Sequence, residues 1–296
     1  MDNIRTDLAL ESRNNIYTDN EKIRGIRVSE HKDCKNDINI VKMEVLNHFG
    51  AQAINKPVGT YITMEVPNLP KEDDGYHEEI SNAFSEELKK LIQKHYDGID
   101  EIPHILIAGL GNRDATSDAL GPMVVSNLLI TRHIVEYMGY SGVEGAFGIT
   151  SAIVPGVMAQ TGMDTGEIIE AVINQTEPDI LLVVDALAAR DTKRLCSTIQ
   201  ITDTGIHPGS GVGNNRNRIN KKTMGIPVIA VGVPTVVDAS TLIYDSLPKD
   251  SEGRRISISE EYRNMYVTSK DIDAIIKRVS YTISEGINRC ITTQNP

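Results

Sequence analysis

The sequence has 296 residues, of which 40% are hydrophobic and 24% are charged, and its formal net charge is −11 at pH 7. This composition is typical of a globular protein and excludes the fibrous and intrinsically disordered classes. The acidic excess argues against a general nucleic-acid-binding protein, because binding to phosphates needs clustered Lys and Arg.

The cysteines and the hydropathy bear on the cellular compartment. Cys34, Cys196 and Cys290 are far apart, odd in number and form no CxxC pair, so we expect neither a disulfide framework nor a zinc knuckle. The polar start has no signal-peptide core, and no stretch approaches the roughly 18 apolar residues of a membrane span. We therefore expect a soluble protein that stays in a reducing compartment.

The first third of the chain predicts a leader, two strands and a helix. About the first forty residues are polar with weak periodicity, which indicates an exposed leader and a loosely structured arm. Residues 38–46 and 59–66 alternate and favour two antiparallel strands at a sheet margin. Apolar residues at helical spacing over 77–95 predict an amphipathic helix.

The rest of the chain alternates apolar strands with helices. Buried strands are predicted at 105–108, 180–184 and 226–238. Helices are predicted at about 120–137, 166–175 and 269–290, the last capped by Thr268 and Ser269. This order predicts an α/β fold in which a mostly parallel sheet carries helices on both faces, with a smaller added β-containing region.

Two aspartates follow two of the predicted strands. Asp118 lies in GLGNRDATSDALG, and Asp185 directly follows the apolar run 180–184. Because loops converge beyond the carboxyl ends of parallel strands, these carboxylates can approach each other, share a proton and activate a water molecule for hydrolysis. Each also has a structural interpretation, Asp118 as an N-terminal helix cap or a first-turn acid and Asp185 as a loop or helix cap.

The same segments disfavour other chemistries. Gly109 and Gly111 allow a tight turn and a close backbone approach, but the third glycine of a dinucleotide fingerprint is missing. The chain has no GxSxG elbow and no HExxH helix, and none of its cysteines lies in a recognisable nucleophile motif. If the protein is a hydrolase, water must be the nucleophile.

A glycine-rich loop over 205–222 ends in basic residues, namely Arg216, Arg218, Lys221 and Lys222. The loop is either simply solvated or a basic lip that binds acidic side chains of a substrate. His207 could ligate a metal beside the aspartates, although a lone loop histidine is more often structural. The candidate substrate-binding residues are Arg113, His207, Arg216 and Arg218, and we predict no metal or cofactor.

Several blocks of the sequence resemble the germination proteases of spore-forming bacteria, the endopeptidases of small acid-soluble spore proteins. These blocks are RTDLALE, GLGNRDATSDALGP, LLVVDALAAR, IHPGSGVGNNR and GVPTVVDA. The GLGN segment is also similar to one in hydrogenase maturation endopeptidases, which implies their α/β fold. The resemblance implies an aspartic endopeptidase whose catalytic acids match Asp118 and Asp185, with no required metal.

The resemblance also implies a zymogen that removes an N-terminal propeptide by self-cleavage. Because RTDLALE is similar to the sequence cut in the family's substrates, the implied processed bond joins Asp7 to Leu8. We therefore expect a propeptide over 1–7 and a peptidase domain over 8–296, with a peripheral N-terminal region to about residue 100. The family implies a homotetramer in the cytoplasm of the forespore and spore core, with small acid-soluble spore proteins as substrates and with neither nucleic acid nor membrane as partner.

Two other functions stay open at this point. One is a nickel-recognising maturation peptidase that trims a single partner protein. The other is a non-catalytic module that holds a peptide or a nucleotide in its glycine-rich loops.

Overall fold

The computed structural model describes residues 6–14, 23–71, 74–96, 103–138, 148–209, 217–246, 261–262 and 265–292. The strands are β1 (Ile26–Asp33), β2 (Ile38–Val45), β3 (Gly59–Glu65), β4 (His104–Gly109), β5 (Ile149–Ile153), β6 (Ile180–Ala189), β7 (Thr198–Thr202), β8 (Val228–Asp238) and β9 (Tyr266–Val267). The helices are α1 (Ala9–Asn14), α2 (His48–Ile54), α3 (Asp74–His95), α4 (Leu120–Val125), α5 (Arg132–Met138), α6 (Met158–Thr161), α7 (Thr165–Thr176), α8 (Lys221–Met224), α9 (Ala239–Ser246) and α10 (Ile272–Ile291).

In the part of the chain that the structure describes, the strands form one sheet. Its order is β1-β2-β3-β7-β8-β6-β4-β5, and β9 pairs with β8. The pairs β8–β6, β6–β4 and β4–β5 are parallel, whereas β1, β2, β3 and β7 are antiparallel to their neighbours. The predicted α/β class is confirmed. The N-terminal β-containing region continues the same sheet through the β3–β7 pair.

Helices cover both faces of the parallel strands. On β6, Leu182 and Val184 lie in a core cluster with residues of α3, α4 and α10, whereas Leu181 and Val183 pack with Ile169 of α7 on the other face. Because successive side chains of a strand point to opposite faces, a strand that is covered on both sides is apolar at every position. This explains the uninterrupted apolar run at 180–184.

Several predicted elements are confirmed, and their bounds are refined. The strands at 38–46 and 59–66 are antiparallel β2 and β3, and the amphipathic pattern at 77–95 is α3. The helix predicted at 120–137 is wrong as a single element, because it is divided into α4 and α5. The side chain of Asn288 on α10 bonds the backbone of the interruption, accepting from Leu129 N at 2.8 Å and donating to Asn127 O at 3.1 Å.

The predicted helix caps and the predicted N-terminal arm also need correction. Asp271 is the N-cap of α10, whereas the Thr268 hydroxyl donates to the Thr235 carbonyl at 2.7 Å. The described N-terminal segment, residues 6–14, is not an exposed leader, since Leu8 and Ala9 have 0% exposure and a short helix begins at Ala9. Among the described helices, none is long and apolar enough to cross a membrane.

Candidate active site

Asp118 lies on a tight turn between β4 and α4. Residues 116–118 form a 3-10 turn, and the Asp118 carboxylate accepts a hydrogen bond from Asn112 N at 2.7 Å. A Cβ atom at Gly111, whose φ is +109°, would lie 1.9 Å from the Asp118 carbonyl oxygen. The predicted close approach at this glycine is confirmed. The N-cap residue of α4 is Ala119 rather than Asp118, so the helix-cap interpretation of Asp118 is wrong.

Asp185 lies inside β6 rather than at its end. The strand continues to Ala189, and Asp185 is paired with Gly232 of β8. Its side chain is 7% exposed and accepts a hydrogen bond from Ala186 N at 2.9 Å. A carboxylate this deeply placed is held by hydrogen bonds because burial of an unpaired charge is costly.

Both aspartates line one cleft with a volume of about 770 Å³. His207 and Arg218 line it as well, and so do Thr6 and Asp7 of the N-terminal segment. The structure therefore brings the two predicted acids and the predicted processing site to the same cavity.

The register of three strands sets the floor of this cleft. Gly232 of β8 pairs with Asp185 of β6 on one side and with Gln200 of β7 on the other. Directly paired residues project to the same face of a sheet, so Asp185 and Gln200 lie on one face, about 10 Å apart across two strand spacings. Gly232 adds no side chain between them, and a Cβ atom there would lie 2.5 Å from Leu187.

The N-terminal segment is seated against the end of β6. Asp7 N donates to Ala188 O at 3.0 Å, and Ala188 N donates to the Asp7 carboxylate at 2.9 Å. Leu8 is buried in an apolar cluster with Leu187, Ala189 and Val237. The segment is thus held at Ala188 of β6 by one backbone hydrogen bond and one bond to the Asp7 side chain.

Glu11, in helix α1, holds the part of this segment that follows Leu8. It is 6% exposed, and its carboxylate accepts hydrogen bonds from Arg190 N at 2.9 Å and Asp191 N at 3.0 Å. The Arg194 guanidinium lies 3.6 Å from the same group. The recognition of this acid is therefore built from backbone N–H groups of the turn after β6 and from one arginine.

The carbonyl group of Asp7 has two side-chain donors. Lys56 Nζ lies 2.9 Å from the Asp7 carbonyl oxygen, and Gln200 Nε2 lies 3.4 Å from it. Burial lowers the pKa of Lys56, while the nearby charges of Asp7 and Glu11 raise it in partial compensation. A lysine Nζ and an amide nitrogen therefore meet at the carbonyl oxygen of the bond that is predicted to be processed.

Of the remaining predicted site residues, two line the cleft and two do not lie among the described residues of its lining. His207 and Arg218 line the cleft, whereas Arg216 lies outside the described residues. Arg113 is not among the described residues that line the cleft, because its guanidinium bonds Pro122 O at 3.1 Å and the Ser126 hydroxyl at 2.9 Å on α4. Within the described residues, no group of three or more His, Cys, Asp or Glu side chains could hold a metal ion.

Comparison with known proteins gives the family. Residues 4–249 match the family model described as germination protease. The chain belongs to the germination proteases. Proteases of this family act in spore germination.

Individual relatives agree with this assignment. A germination protease from Clostridium perfringens (strain SM101) is 40% identical over 97% of this chain and 95% of its own length. One from Bacillus cereus (strain G9842) is 42% identical over 82% of this chain and 66% of its own length. A crystal structure of a [NiFe] hydrogenase maturation protease from Thermococcus kodakarensis matches 68% of this chain and 97% of its own, at 16% identity and a TM-score of 0.34.

Sequence reasoning missed three residues of this germination protease that the structure places at the cleft. They are Lys56, Gln200 and Thr235. Gln200 carried one usable signal, since it is a polar residue at the centre of the short strand TIQIT. Lys56 and Thr235 carried none that separates them from an ordinary loop lysine or strand threonine.

Proposed function

We propose that this germination protease is an aspartic endopeptidase made as a zymogen, in which Asp118 and Asp185 hydrolyse the bond between Asp7 and Leu8 of the same chain. The observation that carries the proposal is that one cleft is lined by both aspartates and by Thr6 and Asp7. In this proposal residues 1–7 are a propeptide and residues 8–296 are the mature peptidase.

The reaction needs one ionised and one protonated carboxyl group. The ionised carboxylate takes a proton from a water molecule whose oxygen attacks the carbonyl carbon of Asp7. The C–N bond then breaks, and the protonated carboxyl group gives its proton to the leaving nitrogen of Leu8. Since two carboxyl groups that share one proton titrate as a pair, the roles of base and acid are proposed for Asp118 and Asp185 as a unit.

The site that holds Asp7, Leu8 and Glu11 would also bind other polypeptide chains in trans. An acidic residue bonded to Ala188 of β6, an apolar residue in the Leu8 pocket and a glutamate three residues further on would reproduce the contacts of Asp7, Leu8 and Glu11. We assign small acid-soluble spore proteins as substrates, which the family resemblance implies, and by the same resemblance a homotetramer in the spore core. His207 and Arg218 at the cleft, with Arg216, are the proposed contacts to acidic substrate side chains.

The experiment is to measure the intact mass and N-terminal sequence of the purified protein during incubation at mildly acidic pH. Asp118→Asn and Asp185→Asn are compared with wild type, and Asp114→Asn serves as a matched control because Asp114 is an exposed acid of the same loop. Wild type and the control should lose residues 1–7, while the other two variants stay intact. Equal processing of all four proteins would show that this pair is not catalytic.

A second arm tests the substrate class. Processed enzyme is mixed with a small acid-soluble spore protein, and the cut positions are read by mass spectrometry. Cleavage before an apolar residue that follows an acid is the expected result. A wild-type protein that cleaves neither itself nor the spore protein would instead favour a non-catalytic binding module.

A further inference from the structure

Negative charge develops on the carbonyl oxygen of Asp7 when water attacks the bond to Leu8. In the structure this oxygen accepts hydrogen bonds from Lys56 Nζ at 2.9 Å and from Gln200 Nε2 at 3.4 Å. We propose that Lys56 and Gln200 form the oxyanion-binding site of this enzyme. The inference rests on the self-cleavage proposed above and adds two catalytic residues to the aspartate pair.

Lys56 is held in place before any charge develops. Helix α2 ends at Ile54, and its C-cap residue Asn55 has a left-handed backbone (φ 51°, ψ 42°) that turns the chain. Lys56 N then donates a hydrogen bond to the Ala51 carbonyl at 3.2 Å. On the other side, Pro57 offers its carbonyl to the Tyr61 hydroxyl at 2.9 Å. Burial raises the pKa of Tyr61 to about 12, so the phenol keeps the proton that it donates. Donors fixed in advance stabilise a transition state without a reorganisation cost.

Gln200 is fixed by its position in the sheet, and its side chain contacts the backbone of the N-terminal segment at two points. Its backbone lies in β7, paired with Thr63 of β3 and with Gly232 of β8, and the residue is 7% exposed. While its amide nitrogen faces the Asp7 carbonyl, its Oε1 accepts a hydrogen bond from Ala9 N at 2.7 Å. One side chain therefore contacts the backbone on both sides of Leu8 and sets the position of the bond.

The strand register places Gln200 and Asp185 on the two strands that flank β8. Gln200 and Asp185 are the residues paired with Gly232 from its two neighbouring strands. The spacing of about 10 Å across two strands leaves room for a peptide unit and a water molecule between them. One donor to the carbonyl oxygen thus lies on β7, and one carboxyl group of the catalytic pair lies on β6.

The electrostatics favour the transition state over the resting state. Burial lowers the pKa of Lys56, and the charges of Asp7 and Glu11 compensate it only in part. In its protonated form, a lysine at such a position gains most when a full negative charge forms on the oxygen that its Nζ already contacts. Such a gain appears in the rate constant rather than in the binding of the segment.

The chemistry divides the work between four side chains. Water adds to the Asp7 carbonyl carbon, its proton goes to the ionised carboxylate, and the oxyanion is held by Lys56 and Gln200. When the C–N bond breaks, the carbonyl reforms and the protonated carboxyl group gives its proton to Leu8 N. Because Lys56 and Gln200 already bind the oxygen, the acid of the pair is left for the leaving nitrogen.

The test measures the first-order rate constant for loss of residues 1–7 in the full chain. Lys56→Met removes the charge at similar length, Lys56→Arg keeps a donor, and Gln200→Glu keeps the acceptor for Ala9 N but loses the donor to Asp7. Lys42→Met, at an exposed lysine of β2, is the control. Lys56→Met should slow cleavage by about 10²–10³-fold, the loss typical of one oxyanion donor, with partial rescue by Lys56→Arg. Gln200→Glu should also be slow, and Lys42→Met should match wild type.

A second measurement separates catalysis from seating of the segment. Hydrogen exchange of residues 6–14 is compared between Asp118→Asn and Asp118→Asn with Lys56→Met, two proteins expected to stay intact. Unchanged exchange with slow cleavage supports the oxyanion site, whereas faster exchange would mean that Lys56 merely seats the segment. Cleavage of Lys56→Met at the wild-type rate overturns the inference but leaves the aspartate pair standing. If wild type does not lose residues 1–7, the proposed self-cleavage is wrong, and the inference of an oxyanion site fails with it.

Discussion

The hydroxyl of Thr235 donates a hydrogen bond to the backbone carbonyl of Ser117, the residue that precedes Asp118. Thr235 is 1% exposed and is the extra residue of β8 where its register with β6 shifts, between the pairs Leu187–Pro234 and Ala188–Val236. Irregularities of this kind are common next to active sites because they re-aim side chains. Through this bond the turn that carries Asp118 is tied to the strand that pairs with Asp185.

Replacement of this hydroxyl should impair processing. Thr235→Val keeps the shape but leaves the Ser117 carbonyl without its buried donor, which costs about 1–3 kcal/mol. We expect the self-cleavage rate constant to fall by about tenfold or more, since 1.4 kcal/mol corresponds to a factor of ten. Thr235→Ser retains the hydroxyl and should stay near wild type. Equal rates for the Val and Ser variants would contradict a positioning role.

Gly111 should tolerate no side chain. In Gly111→Ala the added methyl group would lie 1.9 Å from the Asp118 carbonyl oxygen, so the turn that carries Asp118 must move. We expect loss of self-cleavage and reduced stability in urea unfolding. Gly162→Ala is the matched control, because Gly162 also has a positive φ of 72° but its Cβ would meet nothing within 4 Å. The control should cost about 1 kcal/mol of stability from backbone strain and keep its activity. Retained cleavage in Gly111→Ala would refute this role of the turn.

Glu11 should be required to seat the N-terminal segment. Glu11→Ala removes a carboxylate that accepts from Arg190 N and Asp191 N, and hydrogen bonds to charged groups contribute about 1.5–3 kcal/mol each. Residues 6–14 should then exchange amide hydrogens faster, and self-cleavage should slow by at least about tenfold. Glu30→Ala, at an exposed position of β1, is the comparison variant. If Glu11→Ala is processed as fast as wild type, the contacts at Arg190 and Asp191 do not position the bond.

Asp203 should give the protein a pH-dependent share of its stability. Its carboxylate accepts from Thr60 N at 2.7 Å and lies 2.8 Å from Lys94 and 2.9 Å from His95. Burial tends to raise its pKa, but the hydrogen bonds from Lys94, Thr60 N and His95 outweigh burial, so the pKa is lowered from its ordinary value of 3.8. Because the folded-state pKa is the lower one, this stability is present above pH 3.8 and is lost as the pH falls through the folded-state value.

Asp203→Asn should therefore lower the free energy of unfolding near pH 7 by about 1–3 kcal/mol. The difference from wild type should shrink below pH 3.8, as measured by urea unfolding at several pH values. Asp114→Asn should show no such trend. A difference for Asp203→Asn that stays constant from neutral to acidic pH would mean that the charge of Asp203 is not its cause.

Local pattern was sufficient for much of the fold. The continuous apolar run at 180–184 predicts a strand covered on both faces, and the spacing over 77–95 predicts α3, because side-chain direction follows the backbone period. Even Asp118 and Asp185 could be named as a pair, since each comes after an apolar run that predicts a buried strand, although Asp185 itself lies inside β6. The failures had a non-local origin, as at 120–137, where a distant side chain, Asn288, bonds the backbone that interrupts the helix.

The sequence by itself determined the α/β class, the family and the two aspartates that line the cleft. Tertiary structure alone decided which groups surround the bond after Asp7. Lys56 and Gln200, whose side chains bond the Asp7 carbonyl, are 49 and 193 residues away from it along the chain. Their meeting depends on strand register and on a turn after α2, and these follow from the packing of the whole sheet rather than from any neighbouring residues. The burial of Leu8 could likewise not be predicted from its polar N-terminal segment, because the apolar residues that cover it come from β6 and β8.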